Sequence, residues 1–300
     1  MAADKVAFIG TGAMGEPMSA RLLQAGFPLT IHSRTRARAA ALLAGGAAWA
    51  DSVADAGRSA KIVLTCLPSN EITEEVLIGS GGIITCAGVA CVVDFSTSGP
   101  AIASRIGSRL AEKGIAFIDA PVTGGVPRAK TGALTIITAG APAAIEMVRP
   151  VLSALGTNIF VAGTEPGQAQ TVKLINNMLN YLALAATSEA MVLGAKAGLD
   201  AKLVLDVLNT GTGKNSATEV KFPKSVLPRT FDYGSTNYTV GKDLGLFLDE
   251  AERLGVRTPI ASQLAGLWET WTADHAKEDL TTIVKMFESW AGGVEVRGRS

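Results

Sequence analysis

The sequence predicts an α/β chain: a doubly wound, mostly parallel sheet, then an all-α domain, the two joined by a long helix. Three observations predict it. Residues 5–165 alternate short apolar runs with helix-like segments, the strand signals stop after residue 167, and a length of 300 residues makes about two domains at roughly 150 apiece. With 48% apolar residues the chain can build more than one core.

The expected strands are, in order, "KVAFIG", "PLTIHS", "KIVLTCL", "VACVVDFS", "AFIDAP", "LTIITAG" and "NIFVAG". Most are near-continuous apolar runs, the pattern of strands covered by helices on both faces. Between the first five lie stretches such as "MSARLLQAG" and "AIASRIGSRLAEKG", whose apolar residues recur every three or four positions and which end in glycine. The alanine-rich region 37–60 reads as helix plus turn. Beyond residue 167, apolar period, capping residues and glycine stops predict helices over 168–197, 201–209, 216–227, 239–254, 258–273 and 279–290. The boundary falls at 163–167, giving domains of residues 1–165 and 166–300. In the most apolar region, 178–198, Asn180, Thr187, Ser188, Glu189 and Lys196 interrupt the run. That argues against a membrane span and for a helix buried by protein on most sides.

Lysine plus arginine equals aspartate plus glutamate at 27 each, so the chain offers no basic footprint for nucleic acid. The expected partner is a small molecule or a second copy of the chain. Cys66, Cys86 and Cys91 lack metal-ligand spacing and His32 and His275 join no cluster, so no metal is expected and the thiols read as buried and reduced. The opening "MAADKVAFIG" turns straight into a strand, without the charged leader and apolar core of a signal peptide, and the expected location is the cytoplasm.

The first chemistry-bearing motif is "FIGTGAMGEPM", which sets Gly10, Gly12 and Gly15 directly after a strand and at the start of a helix. This is the GxGxxG dinucleotide fingerprint of a Rossmann-type domain in its required context. Gly10 permits the tight turn, Gly12 lets the backbone approach a pyrophosphate, and Gly15 lets helix and strand pack closely, while the helix N-terminus supplies N–H donors. At the end of the second strand, "IHSRTRAR" offers Ser33, Arg34, Thr35, Arg36 and Arg38 but no carboxylate. An acidic residue there would bind ribose hydroxyls, whereas arginines suit a 2′-phosphate. NADP(H) is therefore expected in preference to NAD(H), although a solvated loop would also carry arginines.

The stretch "FIDAPVTGGVPRAKTGALTIITAG" follows the fifth strand. Thr123, Gly124 and Gly125 would expose a hydroxyl and backbone N–H donors at a strand's C-terminal end, an arrangement that suits a carboxylate. Local composition fits a structural loop equally well. In "TVKLINNMLN" (171–180), Lys173, Asn176, Asn177 and Asn180 recur at three, four and seven positions and share one helix face, with Val172, Leu174, Ile175, Met178, Leu179 and Leu182 elsewhere on the wheel. By itself the stripe fits a ligand-lining face at the domain junction as well as it fits solvent.

On these residues the chain resembles the β-hydroxyacid dehydrogenase family from end to end. "FIGTGAMGEPMSARL" is similar to its cofactor loop, "DAPVTGGVPRAKTGAL" to its substrate loop, "GQAQTVKLINN" to its catalytic helix and "GKDLGLFLDEA" to a late Lys-Asp-Leu segment. The resemblance implies an enzyme that moves a hydride between NADP(H) or NAD(H) and a short hydroxyacid or semialdehyde bearing a carboxylate. It implies Lys173 as catalytic acid/base, and Thr123, Gly124, Gly125, Asn176, Asn177 and Lys242 as substrate-binding residues. For the cofactor it implies Gly10, Thr11, Gly12, Ala13, Met14, Gly15, Ser33, Arg34, Thr35, Leu67, Pro68, Thr97 and Lys242, with Asp243 beside the site. A homodimer or homotetramer through the helical domain is also implied. The chain departs from the family pattern at Thr11, where an apolar residue is usual, at Ala169, usually glycine, at Ser235, commonly phenylalanine, and at Thr123, usually serine. Ser235 leaves the pocket wall, and with it the substrate size, open.

Hydride transfer to a carbonyl carbon leaves an oxyanion that needs a proton, and a lysine ammonium beside it both stabilises the charge and donates. Two rivals are an imine reductase-like enzyme and a non-catalytic NADP-binding protein of the same fold. Lys173 together with Thr123, Gly124 and Gly125 argues for the hydroxyacid side.

Overall fold

The structure, a computed structural model, describes residues 4–298. The chain divides into two compact units, Met1–Lys173 and Leu174–Ser300.

The first unit alternates strands and helices: β1 Val6–Ile9, α1 Gly15–Gln24, β2 Leu29–His32, α2 Ala40–Ala44, β3 Ala48–Trp49, α3 Val53–Ser59, β4 Ile62–Thr65 and α4 Asn70–Ile78. It continues with β5 Cys91–Asp94, α5 Pro100–Ala111, β6 Ala116–Asp119, β7 Val122–Thr123, α6 Gly125–Thr131, β8 Leu134–Ala139, α7 Pro142–Leu155 and β9 Gly156–Gly163. The sheet order is β3-β2-β1-β4-β5-β6-β8-β7, with β9 beside β8. Strands β1 to β6 pair in parallel, while β8 runs antiparallel to β6 and β7 and parallel to β9.

Strand alternation explains the unbroken apolar runs. Val6 and Phe8 of β1 enter one core cluster and Ala7 and Ile9 another, and β4 divides the same way, with Ile62 and Leu64 opposite Val63. Both faces are dry, so both need apolar side chains. The strand order reverses between β1 and β4, which puts the turns after these two strands at the point where open α/β sheets bind ligands.

The second unit begins inside α8, Gln168–Lys196, and continues with α9 Ala201–Thr210, a π-helix Ala217–Val226, α10 Asn237–Arg253, α11 Pro259–His275 and α12 Ile283–Trp290. Side-chain caps fix several starts: the Asp200 carboxylate accepts from Leu203 N at 2.8 Å and the Thr236 hydroxyl from Thr239 N. The core gathers on Trp268, Phe222 and Tyr181. Trp268 is wholly buried, and its indole N–H donates to Asn237 Oδ1 at 3.2 Å.

Several sequence expectations need correction. The region 37–60 holds the two-residue strand β3 besides its helices, and β7 lies within what reads as loop. Both pair through two residues only, too few for a period to register. The helix expected over 216–227 is wound as a π-helix, and that over 279–290 opens with a 3₁₀ turn, Leu280–Thr282. By length and composition α8 is apolar enough to cross a membrane, and only 39% of its most apolar window is buried, so it is not covered on most sides. Ile175, Leu179 and Leu193 are exposed while Lys173 and Asn177 are buried. Apolar letters reported a helix surrounded by apolar side chains, not which side the chain itself covers.

Candidate active site

In the first unit the glycine loop is shaped by what a side chain would strike. Gly10 has φ +99°, and a Cβ there would run into the Cys66 carbonyl; a Cβ on Gly15 would run into the Gly10 carbonyl. Gly12 is exposed, with nothing within 4 Å of its Cβ position. The loop is closed on its protein side and open at Gly12, the cradle a pyrophosphate needs. Ala13 is exposed and Met14 half-buried, while the Thr11 hydroxyl is buried without a hydrogen-bond partner among the described residues. At the end of β2, Arg34, Arg36 and Arg38 are exposed and form no ion pair among the described residues, and Ser33 and Thr35 flank the first of them. Arg36 lies over the Trp49 ring at 5.3 Å. The neighbouring carboxylate, Asp51, accepts from the Trp49 indole N–H at 2.9 Å.

The turns after β4, β5 and β6 are tied together by buried polar groups. Asp94 Oδ1 accepts from the Thr65 hydroxyl at 2.7 Å and the Ser96 hydroxyl at 2.6 Å. Ser96 Oγ in turn accepts from Leu67 N at 2.9 Å, so the "CLP" turn, with Leu67 and Pro68, is fastened to the "STS" turn. Thr97 is half-exposed between buried Ser96 and Ser98. Gln170, wholly buried on the first turn of α8, accepts through Oε1 from Ser98 N and Gly99 N and donates through Nε2 to Ser96 O. Its own N–H donates to Asp119 Oδ2 at 3.0 Å. Burial pushes the Asp119 carboxyl up to about 7, against the pull of the Gly167 and Gln170 N–H groups and with the charge of Asp94 adding to the rise.

Lys173, one turn beyond Gln170, is buried, and its ammonium donates to the Val122 carbonyl at 2.7 Å. That bond sets the lysine beside β7, whose other residue is Thr123. Gly124 and Gly125 follow with φ +122° and +64°, turning the chain into α6 and leaving both exposed. Within this unit, then, the structure brings Lys173 together with the Thr123 loop, and the Gly10 turn together with the Cys66–Pro68 turn.

In the second unit, α8 presents Asn177, buried, whose Nδ2 donates to Asp243 Oδ2 at 2.7 Å. The Tyr181 hydroxyl donates to the same oxygen at 2.8 Å; burial, with the Asp243 charge adding, pushes that phenol well above its ordinary range. Lys242 Nζ stands 3.1 Å from Asp243 Oδ1. Asn176 is exposed and donates to Asn177 Oδ1. Gln170 and Tyr181 escaped the sequence reading. Their signal was spacing: three positions before and eight after Lys173, both fall on its side of the helix. No group of three or more His, Cys, Asp or Glu among the described residues could hold a metal ion.

The sheet order and the glycine loop at its reversal define a dinucleotide-binding domain. Residues 5–163 match the family model described as the NAD binding domain of 6-phosphogluconate dehydrogenase, and residues 167–287 that of the NAD-binding region of NADP-dependent 3-hydroxyisobutyrate dehydrogenase. The chain is 33% identical to a 2-(hydroxymethyl)glutarate dehydrogenase of Eubacterium barkeri, over 98% of both chains. It is 34% identical to an NAD-dependent L-serine dehydrogenase of Pseudomonas aeruginosa, over 96% of this chain and 99% of that one. A crystal structure of 3-hydroxyisobutyrate dehydrogenase from Salmonella typhimurium superposes with a TM-score of 0.85 at 28% identity, covering 94% of this chain and 99% of the other. The chain belongs to the β-hydroxyacid dehydrogenase family and is an NAD(P)-dependent oxidoreductase.

Proposed function

We propose that this enzyme interconverts a short β-hydroxyacid and its semialdehyde, using NADP(H) in preference to NAD(H), with Lys173 as general acid and base. The observation that carries the reading is the buried Lys173 ammonium held on the Val122 carbonyl, next to Thr123, Gly124 and Gly125. A bound nicotinamide supplies or accepts the hydride. The chain's own residues do the rest. The Thr123 hydroxyl and the Gly124 and Gly125 N–H groups hold the substrate carboxylate. In reduction Lys173 gives a proton from Nζ to the oxygen as the carbon gains its hydride, and in oxidation neutral Nζ takes the hydroxyl proton. Asn176 and Asn177 hold the hydroxyl without competing for protons, since an amide does not titrate in this range. Lys242 completes the set, between substrate and cofactor.

For the cofactor, the open space at Gly12 fits a pyrophosphate, and Gly10, Thr11, Ala13, Met14 and Gly15 complete that loop. Ser33, Arg34 and Thr35 would take a 2′-phosphate, and Leu67, Pro68 and Thr97 would face the nicotinamide half. The preference for NADP(H) rests on Arg34, Arg36 and Arg38, exposed and without an ion pair among the described residues. We assign residues 1–165 to cofactor binding and 166–300 to substrate binding and to a homodimer or homotetramer contact. Free cysteines, Cys86 and Cys91 buried and Cys66 half-buried, with the Cys91 thiol pushed up to about 12 by burial, fit a reducing cytoplasm.

A panel of short hydroxyacids and semialdehydes, run in both directions with both cofactors, tests the proposal. Turnover of at least one pair with higher kcat/KM for NADP(H) is expected. Equal or better use of NAD(H) would refute the cofactor preference. Turnover of cyclic imines but of no semialdehyde would refute the reaction.

A further inference from the structure

A lysine ammonium rides on a flexible four-carbon stem, so it is no better placed than the turn of helix that carries it. In α8 that turn is fastened by Gln170, wholly buried and one turn before Lys173 on the same face. Gln170 Oε1 accepts from Ser98 N at 3.1 Å and Gly99 N at 3.2 Å, and its Nε2 donates to Ser96 O at 3.0 Å. These main-chain groups lie on both sides of Thr97. An apolar side chain would fill the same space, but only an amide with its partners met also fixes direction, because hydrogen bonds weaken steeply when bent.

The main chain of the same turn is held as well. Gln170 N donates to Asp119 Oδ2 at 3.0 Å, and Lys173 Nζ donates to Val122 O at 2.7 Å, so one short stretch after β6 grips the helix at both residues. The lead-in is pressed against the start of α5: Gly167 has φ +104°, and a Cβ there would stand 2.8 Å from the Pro100 carbonyl oxygen. All of these groups belong to the first unit.

We infer that Gln170 is a positioning residue for the reaction: by locking the first turn of α8 to the main chain on either side of Thr97, it sets where Lys173 stands relative to that turn. This deepens the proposed function and rests on it, since Lys173 has to be the acid and base and Thr97 has to face the nicotinamide half. Proton donor and hydride carrier have to meet the same carbonyl group, and a misplacement of about 1 Å costs roughly 10²-fold in rate.

Gln170→Met keeps the length and burial of the side chain and removes all three of its hydrogen bonds. With NADPH and the panel semialdehyde that wild type reduces fastest, the variant is expected to lose about 10²-fold in kcat, its NADPH dissociation constant staying within about threefold by fluorescence. A double-mutant cycle separates positioning from plain support of the fold. In the Lys173→Ala background the same substitution is expected to cost nothing further, since no ammonium remains to misplace. Should Gln170→Met fail to fold, Gln170→Asn, the same amide on a stem one methylene shorter, takes its place in the cycle with the same expectation. A kcat within about threefold of wild type, or an equal loss with and without Lys173, would overturn the inference alone. Lys173→Ala turning over within about threefold of wild type, or no turnover of any panel member by wild type, would overturn the proposed reaction and the inference with it.

Discussion

The two units meet their buried polar groups by different means. In the first, the partners are mostly main chain: Lys173 donates to the Val122 carbonyl, and Gln170 engages Ser98 N, Gly99 N and Ser96 O. In the second they are mostly side chains: Asn177 and Tyr181 on Asp243, Lys221 on Asn180, Trp268 on Asn237. The cause is the backbone. Turns at strand ends leave N–H and C=O groups free to serve a ligand or a lysine, whereas helix interiors consume theirs, so polar chemistry between helices has to be written in side chains. The first unit should therefore tolerate little change at its site, and the second should retune by single substitutions.

The largest expected effect tests the first half of that contrast. Lys173→Ala should cut kcat by roughly 10² to 10⁴ while NADPH binding, followed by fluorescence, is retained; a variant within threefold of wild type would remove Lys173 from the reaction. Next comes Asp119, whose folded carboxyl sits near 7 against 3.8 for its ordinary value. Below about pH 4 its contribution to stability is fully present; as pH rises toward 7 the unfolded chain ionises first and stability drains, by up to about 1.4 kcal/mol per unit. Denaturant melts from pH 4 to 7 should show that slope flattened in Asp119→Asn, and parallel profiles would contradict it.

Gly15→Ala forces a Cβ onto the Gly10 carbonyl and should cost about 3 kcal/mol in stability together with cofactor affinity, read by thermal melts with and without NADPH. In the second unit, Asn177→Ala leaves Asp243 with one donor fewer and should cost about 1–3 kcal/mol by denaturant unfolding, sharpening the contrast if Tyr181→Phe adds to it non-additively. Thr123→Ser removes one methyl group, worth about 0.8 kcal/mol, so kcat/KM should move by no more than about fourfold. A larger change would mean that the methyl shapes the pocket.

Much of the fold was legible. Each expected strand is present: β1, β4 and β5 are dry on both faces and leave continuous apolar runs, while β9, largely exposed, keeps its apolar letters at the sheet's edge, and Gly10, Gly12 and Gly15 stand where a turn, an open approach and a close contact require them. The two-residue strands β3 and β7 were not, because pairing over so few residues is decided by neighbours distant in sequence. At the site, Lys173 and Asn177 stood out as polar residues in an apolar helix. Gln170 did not, since its role depends on Ser96, Ser98 and Gly99, more than seventy residues away.

Sequence by itself determined the strand and helix succession, the dinucleotide loop and the family, all of them local patterns set by backbone geometry and side-chain period. Only the tertiary structure decided which face of α8 is covered, that Lys173 rests on the Val122 carbonyl, and that Lys221 is sealed among neutral partners. Burial and pairing belong to groups that meet across the chain, and a linear pattern carries the type of each group but not the company it keeps.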